Sequence, residues 1–181
     1  MFVGRVPDGR YVIRTSRTTL RPVSMDDLDA LHRLWTHPEV RRFFWDDEVI
    51  PAGRAEAAIA EAIGGFERYG FGLWVAEADD GALPGFCGLR HLDDGPHVEV
   101  LYGVAPREWG RGLATEMASA MLRFGFERAG LPLVVGIADA ANTASRRVLE
   151  KAGMTFERYA AREGREEARY SIRREDFRPA T

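Results

Sequence analysis

At 181 residues, with 45% hydrophobic and 29% charged residues, the chain has the length and composition of a globular domain, not those of a disordered or fibrous protein. Its net charge of -3 argues against a nucleic-acid-binding surface, and its single cysteine, Cys87, excludes an intrachain disulfide and a cysteine-based zinc site. No stretch approaches the ~20 apolar residues that span a membrane, and the N-terminus lacks the apolar run of a signal peptide. We therefore predict one cytoplasmic domain over residues 1–181, with no metal and with neither nucleic acid nor membrane as a partner.

The N-terminal third is predicted to contain one short strand followed by a helical region. The first dozen residues are predicted to be a flexible or lightly docked arm, and residues 18–21 a strand. Ser24 can cap a helix with apolar residues at helical spacing that ends near Pro38. Residues 40–45 are predicted to form a loop or broken helix, and the alanine-rich segment 54–69 a second helix.

The middle of the chain has the pattern of a β-hairpin and a third strand. Residues 71–78 and 83–92 are strand-like runs separated by Asp79-Asp80-Gly81, a strong turn signal. Residues 98–104 continue the sheet.

The C-terminal part alternates helices and strands. We predict helices over 112–129 and 142–152, each followed by a glycine, and strands over 133–138, 155–162 and 166–173. The element order is therefore β-α-α-β-β-β-α-β-α-β-β, with a helical crossover between the strands at 98–104 and 133–138.

A glycine-rich segment lies at the mouth of the helix that begins near residue 112. Its sequence is Arg-Glu-Trp-Gly-Arg-Gly over residues 107–112. Glycines let the backbone approach a ligand closely or adopt positive φ, and the first amides of a helix have no intrahelical partner. Because unpaired amides and the positive helix end favour anions, this segment predicts a phosphate-binding cradle.

The spacing of the glycines excludes two common phosphate-binding motifs. A P-loop needs Gly-Lys-Ser/Thr, but the only lysine in the chain is Lys151. A dinucleotide fingerprint needs a third glycine and an acidic residue about 20 positions later, where Thr115 and Pro132 stand. What remains is Arg-x-x-Gly-x-Gly.

This pattern resembles the Gln/Arg-x-x-Gly-x-Gly/Ala signature of the GNAT superfamily of acyl-CoA-dependent N-acetyltransferases. Three blocks in the same order, residues 19–42, 99–116 and 142–154, resemble the RimJ/RimL-like branch, which acetylates ribosomal-protein N-termini, and its small-molecule relatives. The resemblance implies a single α/β (α+β) domain with a mixed, mostly antiparallel sheet flanked by helices. It also implies acetyl-CoA as co-substrate and direct attack by a primary amine, on a protein N-terminus or a small molecule, in a ternary complex. Dimers are frequent in this branch, so a homodimer is open.

By resemblance, the cofactor would contact the end of one strand, the cradle and the start of the last helix. The residues concerned are Tyr102, Gly103, Val104, Arg107, Glu108, Trp109, Gly110, Arg111, Gly112, Leu113, Ala114, Asn142 and Ser145. The two arginines of the cradle would meet the CoA diphosphate. An oxyanion-binding amide would lie near Gly103 or Val104, where the strand bulges from its neighbour. Leu101 departs from the family pattern, because it stands at the usual glycine position.

Glu99 and Ser145 are the candidate catalytic residues. The resemblance implies that Glu99 deprotonates the amine through water; the alternative is that it pairs with an arginine on a sheet face. Asn142 is a favoured helix N-cap and by resemblance also contacts the pantetheine arm. Ser145 would protonate the leaving thiolate, with Tyr102 and Tyr159 as substitutes.

The predicted acceptor site combines aromatic and acidic side chains. Phe44, Trp45 and Asp46 lie where this branch lines its acceptor pocket, and Trp74 is a further wall residue. Such a site would attract a cationic amine. The alternative is a corner of the hydrophobic core followed by a solvated acidic run, with Trp74 packed in the core.

Two other kinds of function remain open from the sequence. One is a non-catalytic CoA-binding or regulatory module, and the other is an interaction domain with a fortuitous motif. Cys87 lies in a strand-like stretch, where a small buried hydrophobe is expected and not an activated nucleophile.

Overall fold

One continuous sheet organises the protein, as seen in a computed structural model that describes residues 2–5, 11–78, 83–92, 95–162 and 164–178. The strands are β1 (Phe2–Arg5), β2 (Tyr11–Arg14), β3 (Thr19–Pro22), β4 (Leu73–Glu77), β5 (Gly85–His91), β6 (Val98–Val104), β7 (Leu133–Asp139), β8 (Thr155–Arg162) and β9 (Arg165–Arg173). The helices are α1 (Leu28–Thr36), α2 (Pro38–Arg41), α3 (Ala52–Tyr69), α4 (Leu113–Glu127) and α5 (Thr143–Lys151). No helix in these ranges combines the length and apolarity needed to cross a bilayer.

The nine described strands lie in the order β1-β2-β3-β4-β5-β6-β7-β9-β8. Every neighbouring pair is antiparallel except β6 and β7, which run parallel. β6 and β7 run parallel because α4, which connects them, returns the chain to the end of the sheet at which β6 begins. The predicted mixed, mostly antiparallel fold flanked by helices is therefore confirmed.

Helices cover both faces of the sheet, and each face has its own apolar cluster. Helices α4 and α5 pack over β5 to β8 on one face, whereas α1 and α3 pack together and against β4 on the other. Alternation along β4 serves both clusters: Trp74 and Ala76 join the α4 side, and Leu73 and Val75 the α1–α3 side.

Most predicted elements appear within a few residues of their expected bounds, but the N-terminus was predicted wrongly in part. Residues 2–5 and 11–14, assigned to a flexible arm or its edge, form the antiparallel strands β1 and β2. Tyr11 packs edge-to-face on Phe124 with 5.4 Å between ring centroids, and Ile13 is fully buried. β1 pairs with β2 and β2 pairs with β3, so contacts with neighbouring strands decide the structure of these two short segments. Residues 6–10 of the predicted arm, and the predicted turn at 79–81, lie outside the described residues.

Candidate active site

The parallel strands β6 and β7 separate and leave an opening in the sheet. They pair only at Val98 with Val134 and at Glu99 with Val135. From Val100 onward β6 keeps its pairing with β5 without interruption, up to Val104 opposite Gly85. The predicted departure near Gly103 therefore begins earlier, at Val100, and it is a separation from β7 without a bulge against β5. The backbone of β6 facing β7 is left available to a ligand.

The glycine-rich cradle stands at the C-terminal end of β6, beside this opening. Gly110 and Gly112 have φ of 74° and 79°, in the left-handed region that favours glycine. The amides of residues 110–115 donate no hydrogen bond to the described part of the chain, and the first bond of α4 runs from Glu116 N to Gly112 O at 3.1 Å. A Cβ built on Gly110 would meet nothing within 4 Å. These features fit a phosphate group, because several amides with no acceptor in the described part of the chain lie beside open space at a helix N-terminus.

The two arginines of the cradle form ion pairs with an acidic neighbour. Arg111 Nη1 lies 2.9 Å from Glu108 Oε2, and Arg107 Nε lies 3.5 Å from Glu108 Oε1. Both guanidinium groups remain exposed. Trp109 anchors the segment to the strand, because its Nε1 donates to Val104 O at 3.0 Å.

A third guanidinium group, which sequence reasoning missed, reaches the cradle from the turn between β2 and β3. Arg17 Nη1 donates to Arg111 O, and Arg17 Nε donates to Glu116 Oε2 at 2.6 Å. Glu116 lies in the first turn of α4. Arg17 and Arg111 are 94 residues apart, and no spacing rule relates them.

Across the opening, Tyr102 of β6 meets the start of α5. Its hydroxyl lies 2.9 Å from Ser145 Oγ and donates to Ser145 O at 3.0 Å. Burial raises the pKa of Tyr102, so the phenol is protonated at neutral pH and serves as a hydrogen-bond donor. Asn142 caps α5 as predicted, with Oδ1 accepting from Ser145 N at 3.0 Å. Three predicted site residues are thus brought together.

Glu99 occupies the last paired position before the strands part. It is 5% exposed and its Oε2 lies 2.8 Å from Arg90 Nε. The arginine pairing considered from the sequence is therefore present. Among the described residues no partner contacts Oε1, so the ion pair leaves one carboxylate oxygen available. Alternation along β6 puts Glu99 and Tyr102 on opposite faces of the sheet, on either side of the opening.

The aromatic cluster on the α1–α3 side of the sheet explains why leucine stands at position 101 and glycine at position 103. Leu101 packs against this cluster, which contains Phe86 and Trp35. A Cβ on Gly103 would lie 2.5 Å from Phe86 Cε1, and Phe86 is fully buried. Gly103, two places after the position where the family usually has glycine, thus leaves room for the ring of Phe86.

Replacing Gly103 by alanine should destabilise the fold by about 1–3 kcal/mol, because the new Cβ would lie 2.5 Å from the fully buried ring of Phe86, which must shift. Chemical denaturation of the two proteins measures the difference. The double variant Gly103→Ala/Phe86→Leu is the control, since a smaller side chain should recover part of the loss. A single variant as stable as the parent protein would contradict this account.

The predicted acceptor residues divide between the core and the surface. Phe44 and Trp45 are partly buried against the α1–α3 cluster, with centroids 4.8 Å from Phe86 and 5.6 Å from Trp35 respectively. Asp46 is exposed and lies 4.0 Å from Arg165 Nε in the β8–β9 hairpin. The segment thus links the aromatic cluster to the far edge of the sheet.

Glu167 is a second acidic residue that sequence reasoning missed. It lies on β9 opposite Asp139 of β7. Burial raises the pKa of Glu167, and the nearby carboxylates of Glu99 and Asp46 add to the rise while Arg162 and Arg169 oppose it. Glu167 therefore lies near Glu99 and Asp46, so three acidic residues from distant parts of the chain share one region. Only tertiary structure could reveal this grouping.

Three residues considered from the sequence lie elsewhere. Trp74 is fully buried on the α4 side, where its Nε1 donates to Tyr11 O at 2.7 Å. It is therefore a core residue, which is the alternative considered from the sequence. Tyr159 is exposed on β8, against Phe156. Cys87 is fully buried and burial raises the pKa of its thiol, as expected for a small buried hydrophobe.

Comparison with known proteins agrees with this geometry. Residues 17–155 match the family described as "Acetyltransferase (GNAT) domain". The FsC-acetyl coenzyme A-N(2)-transacetylase of Aspergillus fumigatus is 31% identical over an alignment 189 positions long, which covers 91% of this chain and 77% of that protein.

Solved structures share the fold at lower identity. The ribosomal-protein-S5-alanine acetyltransferase of Vibrio fischeri superposes with a TM-score of 0.77 at 12% identity, covering 93% of this chain and 99% of that one. The spermidine N-acetyltransferase of Vibrio cholerae, in complex with CoA and spermine, gives 0.76 at 20% identity, covering 89% and 98%. The family resemblance read from three sequence blocks is confirmed: the chain belongs to the GNAT family of acetyl-CoA-dependent acetyltransferases.

Proposed function

We propose that the protein transfers an acetyl group from acetyl-CoA to a primary amine by direct attack within a ternary complex. The observation that carries the proposal is the opening between β6 and β7, with bare amides at one end and Glu99 at its apex. A thioester held there would present its carbonyl carbon to both faces of the sheet. Holding the two reactants in this way converts a bimolecular step into an effectively unimolecular one.

Anchoring of the CoA diphosphate is assigned to the amides of residues 110–115 and to the positive end of α4. The oxyanion is assigned to a backbone amide of β6 near Gly103 or Val104, in the stretch that no longer pairs with β7. Both roles use backbone amides.

Deprotonation of the amine is assigned to Glu99, directly or through a water molecule. An α-amine with a pKa of ~7.7 is partly neutral at physiological pH, whereas a lysine amine at ~10.4 needs a base. Oε1 of Glu99, which has no partner in the ranges that the structure describes, supports this role, because a proton can be accepted there while Arg90 holds Oε2.

Protonation of the leaving thiolate is assigned to Ser145. The protonated phenol of Tyr102 supports this role, because it lies 2.9 Å from Ser145 Oγ and can donate its one proton there in place of Ser145 O. The serine proton is then free for the thiolate, and the phenol proton replaces it once it is transferred. A thiol pKa near ~8.5 makes the thiolate a moderate leaving group, so a single hydrogen bond is enough assistance.

Ser145→Ala should lower kcat by roughly tenfold with little change in the KM for acetyl-CoA, since a hydrogen bond to charge developing in the transition state is lost. Tyr102→Phe is the matched variant, because it also removes one oxygen from the same pair. It should have a smaller effect, as Tyr102 acts through Ser145. A larger loss in Tyr102→Phe than in Ser145→Ala would reverse the two roles.

The acceptor is assigned to the side of the sheet that carries Asp46, Glu99 and Glu167, where negative charge favours a cationic amine. The similarity to proteins named as an N(2)-transacetylase and a spermidine N-acetyltransferase is consistent with N-acetylation. These carboxylates do not distinguish a protein N-terminus from a small amine.

Release of the CoA thiol from acetyl-CoA, measured over a panel of amines, tests the proposal. The panel should include peptides with free N-termini, amino acids, polyamines and aminoglycosides. At least one should release thiol and gain an acetyl group on nitrogen by mass spectrometry. Stabilisation by acetyl-CoA, which reaches about 2.7 kcal/mol at 100 times Kd, without turnover on any amine would favour a non-catalytic CoA-binding module instead.

A further inference from the structure

The turn between β2 and β3 is fastened to the first turn of α4 through one carboxylate. Glu116 Oε1 accepts from Arg17 N at 3.0 Å and Oε2 accepts from Arg17 Nε at 2.6 Å. Burial alone would raise the pKa of Glu116, but the nearby hydroxyl groups of Thr15 and Ser16 and the hydrogen bonds from Arg17 outweigh it, and the pKa lies below its ordinary value. Glu116 is therefore ionised and fully engaged by the turn.

This engagement matters for the cradle because an acidic side chain in a first helical turn ordinarily interacts with the free helix amides. Both oxygens of Glu116 are directed to Arg17. The amides of residues 110–115 have no hydrogen-bond acceptor among the described residues, and Glu116, held by Arg17, does not occupy them.

The same contacts hold the guanidinium group of Arg17 against the cradle. Its Nη1 donates to Arg111 O, and its Nη2 lies 3.5 Å from the position a Cβ would take on Gly112. No described residue accepts a hydrogen bond from Nη2. By contrast, Arg107 and Arg111, which the motif itself supplies, share the carboxylate of Glu108.

We infer that Arg17 is a binding residue of the cradle and donates to the diphosphate of acetyl-CoA, with Glu116 positioning it. This inference rests on the proposed binding of acetyl-CoA at the cradle. A guanidinium group suits the role because its planar array of N–H donors matches phosphate oxygens and its charge does not titrate. The remaining Nη2 donors are the ones available to the ligand.

Isothermal titration of Arg17→Gln with three ligands tests the inference. The ligands are CoA, dephospho-CoA, which lacks the 3′-phosphate, and pantetheine, which lacks the diphosphate. Losing a charged hydrogen bond should raise the Kd for CoA and for dephospho-CoA about 10- to 100-fold and leave that for pantetheine within about twofold. Arg14→Gln is the matched control, since Arg14 is an exposed arginine on the adjoining strand and its Kd values should equal those of the parent protein.

Each other outcome identifies what has failed. Unchanged affinity for CoA in Arg17→Gln overturns the inference while leaving the proposed function intact. An equal loss with pantetheine overturns it in favour of a purely structural role, and a loss with CoA alone moves the contact to the 3′-phosphate. A parent protein that binds no CoA overturns the proposed function and this inference together. If Arg17→Gln does not fold, Arg17→Lys replaces it, and full CoA affinity there contradicts the need for a guanidinium group.

Discussion

Replacing Glu99 by glutamine is expected to lower kcat about 100-fold or more at neutral pH, with the KM for acetyl-CoA changed by less than about threefold. Glutamine keeps the size of the side chain and can still accept a hydrogen bond from Arg90, but it cannot accept the amine proton. The loss should depend on the acceptor, being larger for a lysine-like amine than for an α-amine. Steady-state kinetics with two such acceptors measures both effects.

Arg90→Gln separates catalysis from packing in this test. Glu99 is buried and forms an ion pair with Arg90, so a role confined to that ion pair predicts that either substitution lowers Tm and changes kcat similarly. A role as base predicts that Glu99→Gln abolishes most turnover while Arg90→Gln retains much of it. Full kcat in Glu99→Gln across the pH range would remove Glu99 from the mechanism.

Local sequence signals account for the parts of the site that lie within one segment. The bounds of β6 were predicted as found, and α4 begins at Leu113 directly after the glycine that the motif required. Asn142 caps α5 through the interaction that its residue type favours. In each case the partner groups are a few residues apart, so composition and spacing contain the information.

The rest of the site depends on contacts between distant segments. The pairing of β6 with β7 stops at Glu99, and no residue type within β6 predicts that position. Trp74 illustrates the same limit, because its aromatic side chain suited either a pocket wall or the core. Its position on β4 and its ring contact with Phe124 of α4 show that it lies in the core.

Charge pairs were the least predictable feature, because the chain contains 25 basic and 28 acidic residues. Glu116 belongs to the sequence block that resembles the family, but its partner Arg17 precedes the first such block. Glu167 shares its environment with Glu99 and Asp46 only because β9 and the Asp46 loop meet beside the opening. Long-range charge pairs of this kind depend on the tertiary fold.

Substituting Gly110 tests the cradle most directly. Gly110→Asp should raise the Kd for CoA about 100-fold, whereas Gly110→Asn should raise it only a few-fold. Both side chains tolerate the positive φ of 74° better than other residues do, and a Cβ there meets no atom within 4 Å. The carboxylate adds repulsion of about 3 kcal/mol toward a phosphate charge at ~5 Å and an effective dielectric constant of ~20.

The thermal stability of the two variants distinguishes lost affinity from lost structure. An aspartate carboxylate at Gly110 can itself bind the bare amides of residues 110–115, so Gly110→Asp should melt no lower than Gly110→Asn in the absence of CoA. Calorimetric titration with CoA then measures competition for those amides. Equal CoA affinity in the aspartate and asparagine variants would mean that the diphosphate binds away from this turn, and the assignment of residues 110–115 would be wrong.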